Sequence, residues 1–322
     1  MPFPRPGQPG AGVRHRGHKT PRGLTTGDPQ MPEDPQRRKV TLRLPMEWLG
    51  ILPFVIFALL FLILPTMKIV LGAFQTPEGG FTLQNLADLN TGSIRNAYWT
   101  SIKLSFITAL IGCAVGFAMA AAVVFGGLPK RVRSPLLTFS GVASNFAGVP
   151  LAFAFIATLG PAGLVTLWLK TEFGINLRAM GFNLLSFWGL VVTYLFFQIP
   201  LMILIITPAL DGLKREWREA AAVLGATGAQ YWRMVALPIL FPSLLGTFAL
   251  LFANAFGAVA TAFALTGPQL NIVPIKLFAQ IRGDVLGNPN LGYALAFGMI
   301  LITGIANVIY IVLRTRSERW LK

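Results

Sequence analysis

Six apolar runs, near Trp48–Gly72, Tyr98–Phe125, Leu136–Leu159, Leu185–Pro208, Ile239–Leu265 and Leu291–Leu313, make up more than half of the chain after residue 47, and none contains Asp or Glu. Each is close to or longer than the about 20 apolar residues that a helix needs to cross a bilayer. Backbone amides in hydrocarbon must be satisfied within the chain, and the runs lack the period-two alternation of barrel strands. They therefore predict an all-α polytopic membrane protein with six transmembrane helices. The composition agrees: 54% of residues are hydrophobic and 12% charged, where a soluble domain carries about 25% charged residues.

The formal charge of +15 would by itself suggest a nucleic-acid partner, but its distribution argues for topology. Twenty of the 27 Lys and Arg residues fall in the first 47 residues, the 126–135 and 209–238 connections and the 314–322 end, against seven on the other side of the spans. By the positive-inside rule both termini are expected in the cytoplasm, with no nucleic-acid partner implied. Residues 1–47, with nine Pro, six Gly and nine basic residues, are expected to be disordered and drawn to anionic headgroups. They lack the apolar core of a cleavable signal, and His15 and His18 have no third ligand nearby for a metal. The lone cysteine, Cys113, sits in an apolar run and is expected to pack there; it excludes a disulfide framework.

Without an intramembrane carboxylate or histidine the spans offer no proton relay. Their polar residues are neutral, and Asn145, Gln198 and Asn254, each near the middle of a run, are candidates for lining a translocation path. Pro150 and Pro200 interrupt apolar runs and are candidate hinges. The small residues Gly112, Gly116 and Ala120 recur at four-residue spacing and allow close helix approach, within the chain or between subunits.

The 209–238 connection is too patterned to be a simple linker. Asp211 is placed to cap a helix in which Leu213, Trp217, Ala220, Ala221 and Leu224 form one apolar face, with Arg215, Arg218, Glu219 and Ala222 opposite. Gly225 then ends that helix, and a second short one with Tyr231 and Trp232 runs into Pro238. A surface of this kind docks into a partner's groove or lies among lipid headgroups.

These residues carry a family resemblance. Glu219-Ala220-Ala221, three residues, Gly225, nine residues, then Val235-Ala236-Leu237-Pro238 resembles the signature loop of inner-membrane permease subunits of binding-protein-dependent ABC importers, with Val235 where Ile is commonest. The resemblance covers about 98–313, with the first span as an additional helix. It implies a type I importer permease fold. It also implies that Glu219, Ala220, Ala221, Gly225, Val235, Leu237 and Pro238 belong to a loop that seats in a cytoplasmic ATPase dimer. A second permease subunit, like or unlike, and an extracytoplasmic solute-binding protein are the other implied partners. Cofactors are then none in this chain, with ATP and Mg held by the ATPase, and the permease is not itself an enzyme; consistently, the chain has no Gly-x-x-x-x-Gly-Lys-Ser/Thr phosphate loop. Ser144-Asn145-Phe146-Ala147-Gly148-Val149-Pro150 and Phe256-Gly257-Ala258 with Leu265-Thr266-Gly267 look like the branch serving polyamines, ferric iron and phosphonates. A secondary transporter or channel acting without an ATPase is the alternative.

Overall fold

The computed structural model describes residues 47–127, 129–283, 288 and 290–320; the expectations for the tail, including His15 and His18, lie outside the described residues. In chain order the helices are α1 (Glu47–Ala58), α2 (Leu64–Ala73), α3 (Gln84–Asp88), α4 (Gly92–Phe125), α5 (Lys130–Asn145), α6 (Val149–Leu159), α7 (Leu164–Phe173), α8 (Phe187–Asp211), α9 (Arg215–Val223), α10 (Gly228–Tyr231), α11 (Leu237–Phe256), α12 (Val259–Thr266), α13 (Val273–Ile281) and α14 (Leu291–Trp320). Phe54–Lys322 forms one compact unit and Met1–Pro53 another, of which only the opening of α1 is described.

Two π-helical turns, Leu59–Ile63 and Trp232–Ala236, each end two residues before a proline, Pro65 and Pro238. Proline supplies no N–H to the preceding turn, and a wider turn absorbs the resulting mismatch without breaking the helix. Local sequence thus explains why both helices continue past a residue that usually ends one.

Among the described residues, six helical stretches are long and apolar enough to cross a membrane: Gly50–Ala73, Gly92–Phe125, Val149–Phe173, Phe187–Asp211, Gly228–Phe256 and Leu291–Arg316. Two expected spans are not single helices. The run Leu136–Leu159 is divided between α5 and α6 by a break at 146–148, and the run Ile239–Leu265 between α11 and α12 by a break at Gly257 and Ala258. Hydropathy is blind to such breaks because the residues within them are as apolar as their neighbours.

Helix α8 is the centre of the packing, with α4, α5 and α11 along it. The glycine stripe on α4 makes this possible: a Cβ on Gly112 would lie 3.0 Å from the Gln198 Cβ, and one on Gly116 only 2.6 Å from the Met202 Cβ. The stripe therefore serves packing within the chain. One core cluster joins Leu104, Leu151, Leu190, Tyr194 and Phe197 to Ala262, Leu265 and Ile272. A second joins Met202, Ile206 and Leu210 to Leu213, Tyr231 and Ala236, with Cys113 packed against it. From Ile51 to Met67, across α1, the π-helical turn and the start of α2, the large apolar side chains face outward, with Phe54 71% and Leu62 67% exposed, as expected of a surface that meets lipid.

Candidate functional site

The loop that follows α8 is built by local chemistry. Helix α8 runs through Pro208 to Asp211, Gly212 and Leu213 turn the chain, and Lys214 stands at the N-terminal boundary of α9 without a side-chain cap. Asp211 therefore does not cap α9, contrary to its expected role, because α8 extends to Asp211 itself and the new helix starts four residues later. Its carboxylate instead accepts a hydrogen bond from Arg133 Nη2 on α5 at 2.5 Å.

Leu213 is buried and Trp217 and Ala221 half-buried, which secures the inner face of α9. Glu219, Ala220 and Ala222 are exposed, and the Arg215 Nε donates to Glu219 Oε1 at 2.8 Å, one turn along. Ala220 and Leu224 depart from the expected apolar face. Leu224 lies beyond the last helical residue and is 86% exposed, beside Val223 at 88%.

Gly225 has φ +77°, with open space where a Cβ would be, so its requirement is conformational. The Gly225 N–H donates to the Ala222 carbonyl and the Ala226 N–H to the Ala221 carbonyl, which is the Schellman arrangement that satisfies the end of a helix. Two residues on, the Thr227 side chain accepts from the Gln230 N–H while the Gln230 side chain accepts from the Thr227 N–H. This capping box is legible in the sequence as Thr-x-x-Gln. Tyr231 and Ala236 are then buried, Val235 is half-buried, Leu237 and Pro238 are exposed, and the Trp232 ring stands edge-on to Phe125 at 5.4 Å.

The second element is an open cavity of about 490 Å³ at the two helix breaks, lined among others by Ser144, Gly148, Phe197, Asn254, Gly257 and Thr261. Gly148 (φ +77°, ψ −150°) adopts a backbone conformation closed to other residues. Its N–H donates to Thr261 Oγ1 at 2.7 Å, and the buried Tyr194 hydroxyl donates to the Ala258 carbonyl at 2.7 Å. These two bonds tie both breaks together beside α8. The lining also includes Val259 and Ala260, in the first turn of α12, where the Val259 N–H donates to the Gly257 carbonyl at 2.8 Å.

Of the three expected path residues, Asn254 lines this cavity. Asn145 lies next to it, exposed at the end of α5, with its amide donating to the Gly141 carbonyl at 2.9 Å. Gln198 does not belong to it: the side chain is fully buried between helices and its Nε2 donates to the Leu251 carbonyl on α11 at 3.0 Å. Pro150 occupies the first turn of α6, where no intrahelical bond is lost, so the discontinuity arises at Gly148 and not at the proline. Pro200 is inside α8 as expected. Tyr194 and Gly148 were missed; the Gly-Val-Pro sequence marks the second, whereas nothing local marks the first.

A sequence profile described as "Binding-protein-dependent transport system inner membrane component" matches residues 114–322. The chain belongs to that family. Among its relatives, the spermidine/putrescine transport system permease protein PotC of Escherichia coli is 22% identical over 233 residues, covering 70% of this chain and 80% of the relative. The protein of the same description from Haemophilus influenzae is 24% identical over 274 residues, with 82% and 95% covered. The crystal structure of a bacterial ABC transporter involved in the import of the acidic polysaccharide alginate matches with a TM-score of 0.61 at 16% identity, over 86% of this chain and 96% of that one. This binding-protein-dependent permease thus has the all-α, six-helix fold of type I ABC importers. A permease of this kind is the membrane component of an importer whose ATP hydrolysis belongs to a separate ABC ATPase.

Proposed function

We propose that this permease forms the path for a small polar solute handed over by a binding protein, and that the 209–238 loop couples it to a cytoplasmic ATPase dimer. The observation that carries this reading is the loop itself: a short helix held by Trp217 and by the buried Leu213 just ahead of it, exposing Glu219 and Ala220, followed by the exposed Leu224 and closed by a positive-φ glycine. In this reading α9 enters a cleft of the ATPase, Glu219 makes the polar contact, and Ala220 permits close approach. Val235, Leu237 and Pro238 carry its displacement into α11. Both termini are cytoplasmic, residues 1–47 form a lipid-attracted tail, 48–72 an accessory first helix, 98–313 the permease core and 314–322 a cytoplasmic end. The connections 74–97 and 266–290 face outward toward the binding protein. A second permease, like or unlike, completes the path.

The cavity at the helix breaks is the solute route through this half, with Asn254 lining it and Asn145 beside it, while Pro200 is the remaining candidate hinge. Polyamines, ferric iron and phosphonates are the proposed solute classes. The cavity's polar side chains, Ser144, Asn254 and Thr261, are neutral, which suits selection by the binding protein in place of the path. The test is to purify the assembled importer carrying Glu219→Ala or Gly225→Ala and measure ATPase co-purification and solute uptake. Each variant is expected to lower both, and full retention of both would sink the assignment of the loop.

A further inference from the structure

Helix α5 touches the root of the exposed loop at one end and the cavity at the other. At 16 residues it is about 24 Å long. Near its start, Arg133 bonds Asp211, the last residue of α8 and two residues ahead of the buried Leu213, with the two side chains 31% and 44% exposed. One turn further, Leu136 and Leu137 pack against the cluster that holds Leu213, Tyr231 and Ala236, the inner side of the loop. At its far end, Phe146 meets the Phe196 ring on α8 at 6.0 Å, and the chain turns through Gly148, whose N–H is held by Thr261.

From this placement we infer that α5 is a strut that carries displacement of the loop to the cavity wall, and that Arg133 and Asp211 are the positioning pair that pins its lower end. The inference rests on the loop's reading as the ATPase contact. A helix transmits an axial push because its hydrogen bonds resist compression, and α5 keeps them apart from the one that Pro135, two residues after Arg133, cannot donate, whereas the chain ahead of α5 turns at Gly127, which has a positive φ. The ion pair bypasses that turn. It joins positions 78 residues apart in sequence, so that movement of the α8–α9 junction reaches α5 directly. A pair of this exposure contributes little to global stability, and its use lies in fixing geometry.

Cys113 is the single cysteine, so Cys113→Ser provides a background in which Ser144→Cys reports on the cavity. The assembled importer, with its ATPase, partner permease and binding protein, is placed in proteoliposomes. Labelling of position 144 by a water-soluble maleimide is then timed with and without ATP and vanadate. With the pair intact, the nucleotide is expected to change the labelling rate. In Arg133→Asp and in Asp211→Arg that change is expected to shrink by about threefold or more while the ATPase still co-purifies, and the double variant, with the charges exchanged, is expected to restore it. An undiminished response in the single variants, no rescue in the double, or loss of the ATPase from the single variants would overturn the strut. Full retention of the ATPase and of the nucleotide response by Gly225→Ala would instead overturn the loop's reading, and the strut with it.

Discussion

The Gly148 N–H and the Thr261 hydroxyl, 2.7 Å apart, join two broken helices that are 113 residues apart in sequence. The bond turns two separate discontinuities into one wall, and each break gains a reason to sit where it does. Gly148 supplies a conformation that only glycine holds easily, and Thr261 supplies the acceptor for its amide.

Thr261→Val keeps the shape of the side chain and removes that acceptor. It should destabilise the purified permease by about 1–2 kcal/mol, read as a lowered thermal midpoint, while Thr261→Ser should stay close to the parent. Equal midpoints for Val and Ser would show that the bond contributes nothing.

Tyr194→Phe removes the donor to the Ala258 carbonyl and leaves the ring in its buried cluster. A loss of about 1 kcal/mol is expected, since the Ala258 carbonyl keeps only its long bond from the Ala262 N–H at 3.5 Å. Combined with Thr261→Val the two losses should fall short of additivity, because both act on one pair of breaks. A double-mutant cycle in detergent measures this directly.

Two glycines on neighbouring helices should respond in opposite directions. Gly116→Ala places a methyl 2.6 Å from the Met202 Cβ and 2.9 Å from the Ile199 carbonyl, an overpacking expected to cost about 1–3 kcal/mol. Gly141 lies within α5 with nothing near its would-be Cβ, so Gly141→Ala should be neutral or stabilising by up to about 1 kcal/mol. Thermal unfolding of the two single variants distinguishes the effects.

Gln198→Met tests whether burial excludes that residue from the route. The side chain makes one bond, to the Leu251 carbonyl, and its Oε1 has no partner among the described residues, so an apolar replacement of similar volume should cost less than about 1.5 kcal/mol. Solute uptake per permease should stay within about twofold of the parent. A large loss of uptake with unchanged stability would place Gln198 on the path after all.

Much of this architecture is legible in one dimension because its causes are local. A run of apolar residues with no acid marks a membrane segment whatever surrounds it, although one helix need not fill it, as the runs 136–159 and 239–265 show. Glu219, Gly225 and the residues to Pro238 describe a helix, a left-handed stop and a restart that neighbouring atoms alone can specify. The apolar face failed at Leu224 for an equally local reason, since Gly225 ends the helix before that position can turn inward. Asp211 was misread because capping looks only a few residues ahead, and the competing partner, Arg133, is 78 residues away.

Sequence by itself determined the six apolar runs, the clustering of the basic residues in alternate connections and the two-helix loop, since hydrophobic length, charge and capping act over one to twenty residues. Only the tertiary structure decided that two of those runs break at a shared cavity, that Asn254 faces it while Gln198 is sealed between helices, and that α5 connects loop to cavity. The orientation of a neutral polar side chain within an apolar helix depends on which helix packs against it, and that is settled by contacts between residues that are distant in the chain.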